Sequence, residues 1–274
     1  MSIQSQASLL IVIGALGWLH SCGTRSYLTE RLNSPLTLHS ANPVVAQPRN
    51  FSFALIGDLH VGGQNTSRLE RIISLAAREG DEFMILLGDT IDKGEEEDFI
   101  RVKTVFDQSG FKNSVFYAIG NHDVFENGWA HYYKYFGPVH YSFRAGYSKF
   151  IVLDTADATV GEEQTEWLRA ELAEPAEHIF LASHYLPAIP GIQTYLKMSN
   201  DHEAVGLMKL ASDFGVRAWL GAHYHSFVVG RIEGVDYVVA GGGGGRRMDP
   251  VHSFFFAQVT VKGSSVSYRL NPVD

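Results

Sequence analysis

The chain has 274 residues, of which 45% are hydrophobic, and 22 basic and 30 acidic residues give it a formal net charge of -8. This size is enough for one large domain with a substantial core and does not require two. The acidic balance argues against a broad nucleic-acid-binding surface, which needs basic patches. It is compatible with an anionic small substrate if metal ions supply local positive charge.

The N-terminal segment predicts export from the cell. Residues 7–18, ASLLIVIGALGW, form an apolar run of signal-peptide length that is short for a membrane span. The single cysteine, Cys22, follows in the sequence LHSC and has no partner for a disulfide within the chain. LHSC resembles the lipobox of bacterial lipoproteins, in which the cysteine becomes the lipidated N-terminus. The alternative is a secretory signal or an uncleaved anchor that happens to contain a cysteine.

These features divide the chain into three parts. Residues 1–22 are predicted to be a signal peptide or lipoprotein signal, residues 23–50 a tether that contains Pro43 and Pro48, and residues 51–274 the functional domain. The expected location is outside the cytoplasm, either at the membrane through lipidated Cys22 or free in the periplasm or extracellular space.

From residue 51, apolar runs alternate with amphipathic stretches. Strands are predicted over 51–57, 82–88 and 114–120, and helices over 67–80 and 95–110 lie between them. Nearly continuous apolar strands that alternate with helices are typical of a parallel sheet covered by helices.

The second half repeats this alternation with more β structure. A hairpin is predicted over 139–155, helices over 162–174 and 201–215, and a strand over 178–184, before short strands in 216–221, 227–234, 235–242, 252–261 and 265–270. Asn200 and Glu203 are predicted to form a capping box at the start of the helix over 201–215. The pattern indicates an α/β fold made of two joined halves.

Five predicted strands are each followed by polar residues that suit a metal site. The motifs are GDLH with Asp58 and His60, GDTID with Asp89 and Asp92, GNHD with Asn121, His122 and Asp123, the single His184, and GAHYH with His223 and His225. Ligands bind at the carboxyl ends of strands in open α/β sheets, so these residues are expected to form one site.

The residue types indicate the kind of metal. Carboxylates, an amide and imidazoles suit Mn, Fe or Zn, and the motifs contain no thiolate. A carboxylate has two oxygens and is able to bridge two ions, and ions about 3.5–4 Å apart are a known device for displacement at phosphorus. In an extended strand, His223 and His225 would point to the same side, at one ion or at two.

The ordered motifs resemble the calcineurin-like metallophosphoesterase family over about residues 51–245. The resemblance implies a four-layer αββα fold, a two-sheet β-sandwich flanked by helices. It also implies a dinuclear centre of two divalent ions, Mn, Fe or Zn, at which metal-bound hydroxide attacks a small phosphorylated substrate. The expected substrate is a phosphate monoester or diester.

The resemblance assigns a role to each motif residue. It places Asp58, His60 and His225 on the first metal, Asn121, His184 and His223 on the second, and Asp89 between them as a bridge. It makes His122 a proton donor to the leaving oxygen or a transition-state stabiliser, which Asp92 orients through a hydrogen bond. Asp123 is expected to be structural.

Three positions depart from the family pattern. Ala222 stands where glycine often precedes the first histidine of the last motif, and Lys93 stands where arginine is common. Purple acid phosphatases have a tyrosine ligand three residues beyond the aspartate of the second motif, where this chain has Asp92. The iron–tyrosinate subclass is therefore disfavoured.

Several alternatives remain open from the sequence. One is a nuclease of the same fold, and another is a non-catalytic binding protein built on it. The run GGGGGRR over 241–247 either brings backbone N–H groups, Arg246 or Arg247 to an anion or is a mobile surface turn. The aromatic stretch 129–137 is predicted to be a packing helix rather than a platform for nucleotide stacking.

Overall fold

The computed structural model describes residues 44–45, 49–63, 66–111, 114–246, 248 and 253–273. The predicted export signal with Cys22, and Arg247 of the glycine-rich run, lie outside the described residues. No helix in the described part of the chain is long and apolar enough to cross a membrane.

Twelve strands form within these residues. They are β1 (Val44–Val45), β2 (Asn50–Ile56), β3 (Phe83–Leu87), β4 (Ser114–Ala118), β5 (Tyr141–Ala145), β6 (Ser148–Val152), β7 (His178–Ala182), β8 (Ala218–Gly221), β9 (Phe227–Ile232), β10 (Val235–Ala240), β11 (Phe255–Lys262) and β12 (Ser265–Pro272). The helices described are α1 (Ser67–Glu79), α2 (Glu96–Gln108), α3 (Gly128–Phe136), α4 (Glu162–Leu172) and α5 (Asp201–Asp213).

The strands form two mixed sheets. The five-stranded sheet has the order β12-β11-β2-β3-β4, and the seven-stranded sheet has the order β1-β5-β6-β7-β8-β10-β9. The strands β2–β3–β4 pair in parallel, as predicted from their continuous apolar runs, and β6–β7–β8–β10 are also parallel. Parallel pairing brings the carboxyl ends of these strands, where the motifs lie, to the same edge of each sheet.

The core has three layers of apolar side chains. Between the sheets, the rings of Phe53 and Phe83 stack at 4.8 Å, and Phe150 stacks on Phe143 and Phe180, each at 4.8 Å. A second cluster joins the five-stranded sheet to α1, α2 and α3, and a third joins the seven-stranded sheet to α4 and α5. Helices therefore cover both outer faces, which confirms the predicted two-sheet sandwich with flanking helices.

Helix α1 shows how local sequence produces these layers. Leu69, Ile72, Ile73 and Ala76 recur at helical spacing and are buried against the sheet. The helix ends at Gly80, whose φ of 75° is left-handed and is readily adopted by glycine.

Helix α3 confirms that the aromatic stretch packs. Tyr132 is fully buried, and its hydroxyl donates a 2.9 Å hydrogen bond to the carbonyl of Tyr117 in β4. The ring of Phe136 stacks on that of Tyr117 at 4.2 Å. These rings fill the layer outside the five-stranded sheet.

Two local features differ from the sequence expectations. Asn200 caps α5 and accepts bonds from the backbone of His202 and Glu203, but the Glu203 carboxylate accepts from Val160 and Gly161 rather than completing the capping box. Val44 and Val45, within the predicted tether, form β1, which pairs with β5 and is an edge strand of the seven-stranded sheet.

Candidate metal centre

The motif residues lie in loops that follow β2, β3, β4, β7 and β8. Asp58, His60, Asp89 and His223 have left-handed backbones, with φ between 46° and 64°. This conformation costs free energy in non-glycine residues and persists where the surrounding structure enforces it. The left-handed backbone at these four residues directs their side chains into one space at the ends of the two sheets.

The first group of ligands contains Asp58, His60 and His225. One nitrogen or oxygen atom from each lies within 4.8 Å of the others. The Oδ1 atom of Asp58 is 3.4 Å from Nε2 of His225, while Oδ2 accepts a 3.0 Å bond from the backbone N–H of His223. One carboxylate oxygen is thus held by the backbone and the other faces the centre.

The second group contains Asn121, His184 and His223. The Nε2 atom of His184 lies 3.1 Å from Oδ1 of Asn121 and 3.2 Å from Nδ1 of His223. It also lies 3.3 Å from Oδ2 of Asp89. Four potential ligand atoms therefore surround one point.

Asp89 lies between the two groups. Its Oδ2 atom is 3.3 Å from Nε2 of His184 and 3.7 Å from Nε2 of His60, so it faces both. Its Oδ1 atom accepts a 2.8 Å bond from the backbone N–H of His122. This is the arrangement that a bridging carboxylate requires.

Backbone carbonyls set which histidine nitrogen faces the centre. Nδ1 of His184 donates to the carbonyl of Leu87 at 2.8 Å, and Nδ1 of His225 donates to the carbonyl of Arg246 at 2.7 Å. A carbonyl only accepts, so these Nδ1 atoms carry the protons and the Nε2 lone pairs are available to a metal. His223 is the exception, since its Nδ1 faces His184.

Because these titratable groups are buried close together, the metal-free site shifts the pKa values of several of them. Burial alone would raise the pKa of Asp89, but His184 and His60 outweigh it and hold that pKa well below its usual range. Burial opposes a charge on His184, yet Asp89 raises its pKa to about 9. Burial and the neighbouring His184 lower the pKa of His223 to about 3.

The residues fit the two divalent ions that the sequence implies. Within the described chain, Oδ1 of Asp58 and Nε2 of His60 are buried and have no hydrogen-bond partner, an arrangement that costs free energy unless a cation binds there. The oxygen and nitrogen donors suit Mn, Fe or Zn. Asp58, His60 and His225 would hold one ion, Asn121, His184 and His223 the other, and Asp89 both.

The geometry of GAHYH differs from the extended strand considered from sequence. Strand β8 ends at Gly221, and His223 has a φ of 64°. Alternation in a strand therefore does not place the two histidines. A turn sends His223 to the second group and His225 to the first.

Asp92 contacts His122 through its backbone rather than through its side chain. The carbonyl of Asp92, not its carboxylate, accepts the 2.7 Å hydrogen bond from Nδ1 of His122. The carboxylate lies 3.3 Å from Nδ1 of His60 and 3.9 Å from Nδ1 of His122. The loop turns the side chain toward His60, so the carboxylate orients a metal ligand.

Replacing Asp92 by asparagine is therefore expected to weaken metal binding at the first group by about tenfold, the scale expected when a group that orients a metal ligand is changed. The backbone bond to His122 remains in this variant. Metal titration by calorimetry checks the prediction. A variant that binds metal as the wild type does but loses turnover would instead support a carboxylate that acts on His122.

His122 is positioned at the edge of the centre. With Nδ1 bound to the Asp92 carbonyl, Nε2 is its remaining nitrogen, and the ring centroid lies 4.5 Å from that of His60. Both rings line a pocket of about 620 Å³, which Lys93 and Arg246 also line. Asp123 is buried behind the loop and accepts bonds from the backbone of Ile91 and Gly120, which fits a structural role.

The run Gly241–Gly245, here called the glycine strap, is not a surface turn. Gly241, Gly242 and Gly243 are buried, and the strap crosses the loop that carries Asp58. The side chain of Arg246 is exposed at the pocket.

The structure accounts for Ala222. Its side chain is buried, and a Cβ placed on Gly57 would lie only 2.2 Å from the Cβ of Ala222. The absence of a side chain at Gly57 leaves room for the methyl group of Ala222. The two positions are complementary, although 165 residues separate them.

Tyr185 is a contact residue that the sequence did not single out. Its ring lies 3.9 Å from that of His223 and 5.2 Å from that of His184. In the sequence, Tyr185 stands out only because it directly follows His184. A tyrosine after a strand is common, so this position alone did not indicate a contact with the site. The ring packs beside the second group of ligands.

The fold and the ligand pattern together define a dinuclear metallophosphoesterase architecture. Residues 51–227 match the calcineurin-like phosphoesterase family, and the chain belongs to this family. A "Probable cyclic nucleotide phosphodiesterase" of Rhodococcus erythropolis is 25% identical over 203 residues, which are 67% of this chain and 65% of that protein. The match thus spans about two thirds of the relative's length.

Solved structures share the fold at low identity. The purple acid phosphatase PPD1 from yellow lupin (Lupinus luteus) seeds has a TM-score of 0.68 at 16% identity, covering 83% of this chain and 52% of that one. A dimetal phosphatase from Danio rerio has a TM-score of 0.63 at 17% identity, covering 82% and 96%. GAP50, described as the anchor in the inner membrane complex of Plasmodium, has a TM-score of 0.63 at 14% identity, covering 82% and 85%.

Proposed function

We propose that this protein is a metal-dependent phosphoesterase that hydrolyses small phosphorylated molecules. The observation that carries the proposal is Asp89, whose Oδ2 faces both ligand groups beside a pocket that contains His122. Two divalent ions bound there would supply a nucleophile from water near neutral pH and neutralise charge on the phosphoryl oxygens.

The chain's own residues supply the remaining chemistry. His122 is held through Nδ1 by the Asp92 carbonyl, and its Nε2 is available to give a proton to the leaving oxygen. Lys93 and Arg246 line the same pocket. They are available to the anionic oxygens of a substrate.

A small phosphodiester is the substrate class proposed first. The named function of the Rhodococcus relative, a cyclic nucleotide phosphodiesterase, supports it. The pocket also carries acidic side chains, namely Asp92, Glu95 and Asp98, and the whole chain is acidic. This balance favours a small ligand over a nucleic-acid backbone.

The test is a hydrolysis assay of the purified full chain. It compares an aryl diester, an aryl monoester, 3′,5′-cyclic nucleotides, nucleoside monophosphates and single-stranded DNA, each with added Mn, Zn or Fe. Diesters are expected to be hydrolysed fastest, with loss of activity after verified metal removal and recovery when metal returns. Faster turnover of the monoester would reject the diester preference, and activity without metal would reject the metal-dependent reaction.

The fold alone does not entail catalysis, because GAP50 shares it and is described as an anchor. A chain that binds two ions but hydrolyses none of these esters would support the non-catalytic alternative. Hydrolysis of DNA in preference to the small esters would support a nuclease.

Arg246→Ala is expected to raise KM by about tenfold with a smaller change in kcat, because an exposed arginine loses a charge-assisted contact to the substrate. The backbone carbonyl that accepts from His225 is retained. Steady-state kinetics check this, with Arg71→Ala on α1 as a matched exposed control. An unchanged KM would remove Arg246 from substrate binding.

For location, we propose export and lipidation at Cys22. The apolar run 7–18 followed by LHSC supports the proposal. Cells fed a labelled fatty acid should incorporate the label into the wild type but not into Cys22→Ser. Equal labelling of both proteins would reject lipidation at this residue.

A further inference from the structure

We propose that the glycine strap positions the ligands of the first group and so sets the affinity of one metal site separately from the other. The inference rests on the metal-dependent function proposed above. It concerns Asp58, His60 and His225, which lie apart in the sequence and are touched by the strap from one side.

Backbone hydrogen bonds fasten the strap to the loop of Asp58. The N–H of Gly245 donates to the carbonyl of Asp58 at 2.8 Å, and the N–H of Gly243 donates to the carbonyl of Gly57 at 3.0 Å. The N–H of Gly57 donates in turn to the carbonyl of Ala240 at 2.8 Å. The strap and residues 57–58 therefore hold each other in register where Asp58 turns into the centre.

Side-chain contacts show why these positions are glycine. A Cβ on Gly245 would lie 2.4 Å from Cε1 of His225 and 2.7 Å from Cδ2 of His60. A Cβ on Gly241 would lie 2.5 Å from Oδ2 of Asp58. Separations this short displace one of the two groups, so the strap in its present form lies directly against all three ligands.

Arg246, the residue after the strap, sets the proton position on His225. The carbonyl of Arg246 accepts from Nδ1 of His225 at 2.7 Å, and the N–H of Met248 donates to the His225 carbonyl at 3.2 Å. The ring is held at both its nitrogen and its backbone, which leaves Nε2 directed at Asp58.

The contacts are restricted to one side of the centre. Among the described residues, the strap's backbone bonds and the atoms nearest to a Cβ on Gly241, Gly243, Gly244 or Gly245 include none from Asn121, His184 or His223. His184 is oriented instead by the carbonyl of Leu87 in the five-stranded sheet. A change in the strap should therefore affect the first site and leave the second intact.

Arg68 of α1 fixes the strap from outside the centre. Its guanidinium donates to the carbonyl of Gly244 at 3.4 Å and lies 3.6 Å from the centre of the Phe254 ring. Arg68 does not belong to either ligand group. It offers a way to loosen the strap without a steric clash.

The experiment measures metal stoichiometry and affinity in the full chain with Gly245→Ala. Manganese is titrated by calorimetry, bound metal is counted by elemental analysis, and electron paramagnetic resonance reports whether two manganese ions are coupled. Wild type is expected to bind two coupled ions. Gly245→Ala should keep one affinity and lose at least about tenfold in the other, with an uncoupled signal.

Arg68→Ala is the second variant and is expected to weaken the same site by about threefold, the scale of one hydrogen bond. It keeps the inference testable if Gly245→Ala does not fold. Gly206→Ala, where a Cβ meets nothing within 4 Å, and Arg71→Ala are the controls and should bind metal as wild type does. His225→Ala identifies the first site and His184→Ala the second.

Wild-type affinities in both strap variants would overturn the inference, and so would equal weakening of both sites. A folded wild type that binds no metal would overturn the proposed metal-dependent function itself. Two bound ions without ester hydrolysis would remove the activity but leave the role of the strap standing.

Discussion

His122→Ala is expected to lower kcat by about 10²–10⁴-fold while both metal ions stay bound. The His122 side chain lines the pocket, and the other histidines that line it within the described part of the chain, His60 and His225, belong to the ligand groups. The contact between this residue and Asp89 is made by the backbone N–H, which alanine keeps. The bridging carboxylate should therefore stay in place when the imidazole is removed.

Esters with different leaving groups test whether His122 acts as the proton donor. A nitrophenolate leaves without a proton, so its esters should lose less activity than an alkyl or nucleoside ester if His122 is the proton donor. His131→Ala is the matched control, because its Nδ1 also donates to a backbone carbonyl, that of Gly94, but it does not line the pocket.

Loss of a metal ion in His122→Ala would show that His122 is a ligand. Its atoms lie within 4.8 Å of His60 and Asp89, close enough to make that outcome a real alternative. Unchanged kcat with all esters would remove His122 from the reaction.

Gly57→Ala is expected to destabilise the protein by about 3 kcal/mol or more, at or above the usual range for overpacking a core. The new Cβ would lie 2.2 Å from the Cβ of Ala222 and 3.3 Å from that of Leu87. All three atoms are fixed to the backbone, so no rotamer change relieves the clash. Urea unfolding of the metal-free protein measures the loss.

The double variant Gly57→Ala with Ala222→Gly should recover most of that stability. It moves the methyl group from the loop after β8 to the loop after β2 and removes the 2.2 Å contact. Ala222→Gly alone should cost about 1–2 kcal/mol through a lost buried methyl group and a freer backbone. The two changes are thus expected to be strongly non-additive.

Additive effects in this cycle would show that the two positions do not contact each other as described. The cycle also explains the alanine in GAHYH, where the family often has glycine. The methyl group at 222 requires a glycine at 57, so the two motifs GDLH and GAHYH are matched across the interface of the two sheets.

Local sequence was enough to predict the buried strands and amphipathic helices, whereas the two-sheet sandwich came from the family resemblance. Apolar runs and helical spacing are properties of neighbouring residues, so the burial of β3, β6 and α1 followed directly from them. The ends of the strands were less certain, because hydrogen bonding between strands decides where a strand stops. Thus β7 ends at Ala182, two residues before His184.

The ligand types were also readable from the motifs. Asp, Asn and His at successive strand ends indicate an oxygen and nitrogen metal site, and parallel pairing brings those ends together. The assignment of ligands to two ions came from the family resemblance. In the structure, Asp58, His60 and His225 lie in one group, and His184 and His223 lie with Asp89 in another.

Contacts between distant segments were decided only by the tertiary structure. The direction of the Asp92 carboxylate depends on where His60 and His122 lie after folding. The strap touches Asp58 across more than 180 residues, and Ala222 meets Gly57 across 165. The sequence by itself determined which groups are able to bind metal, because that is the chemistry of single side chains. Their orientation and support required the folded chain, since each depends on packing between the two sheets.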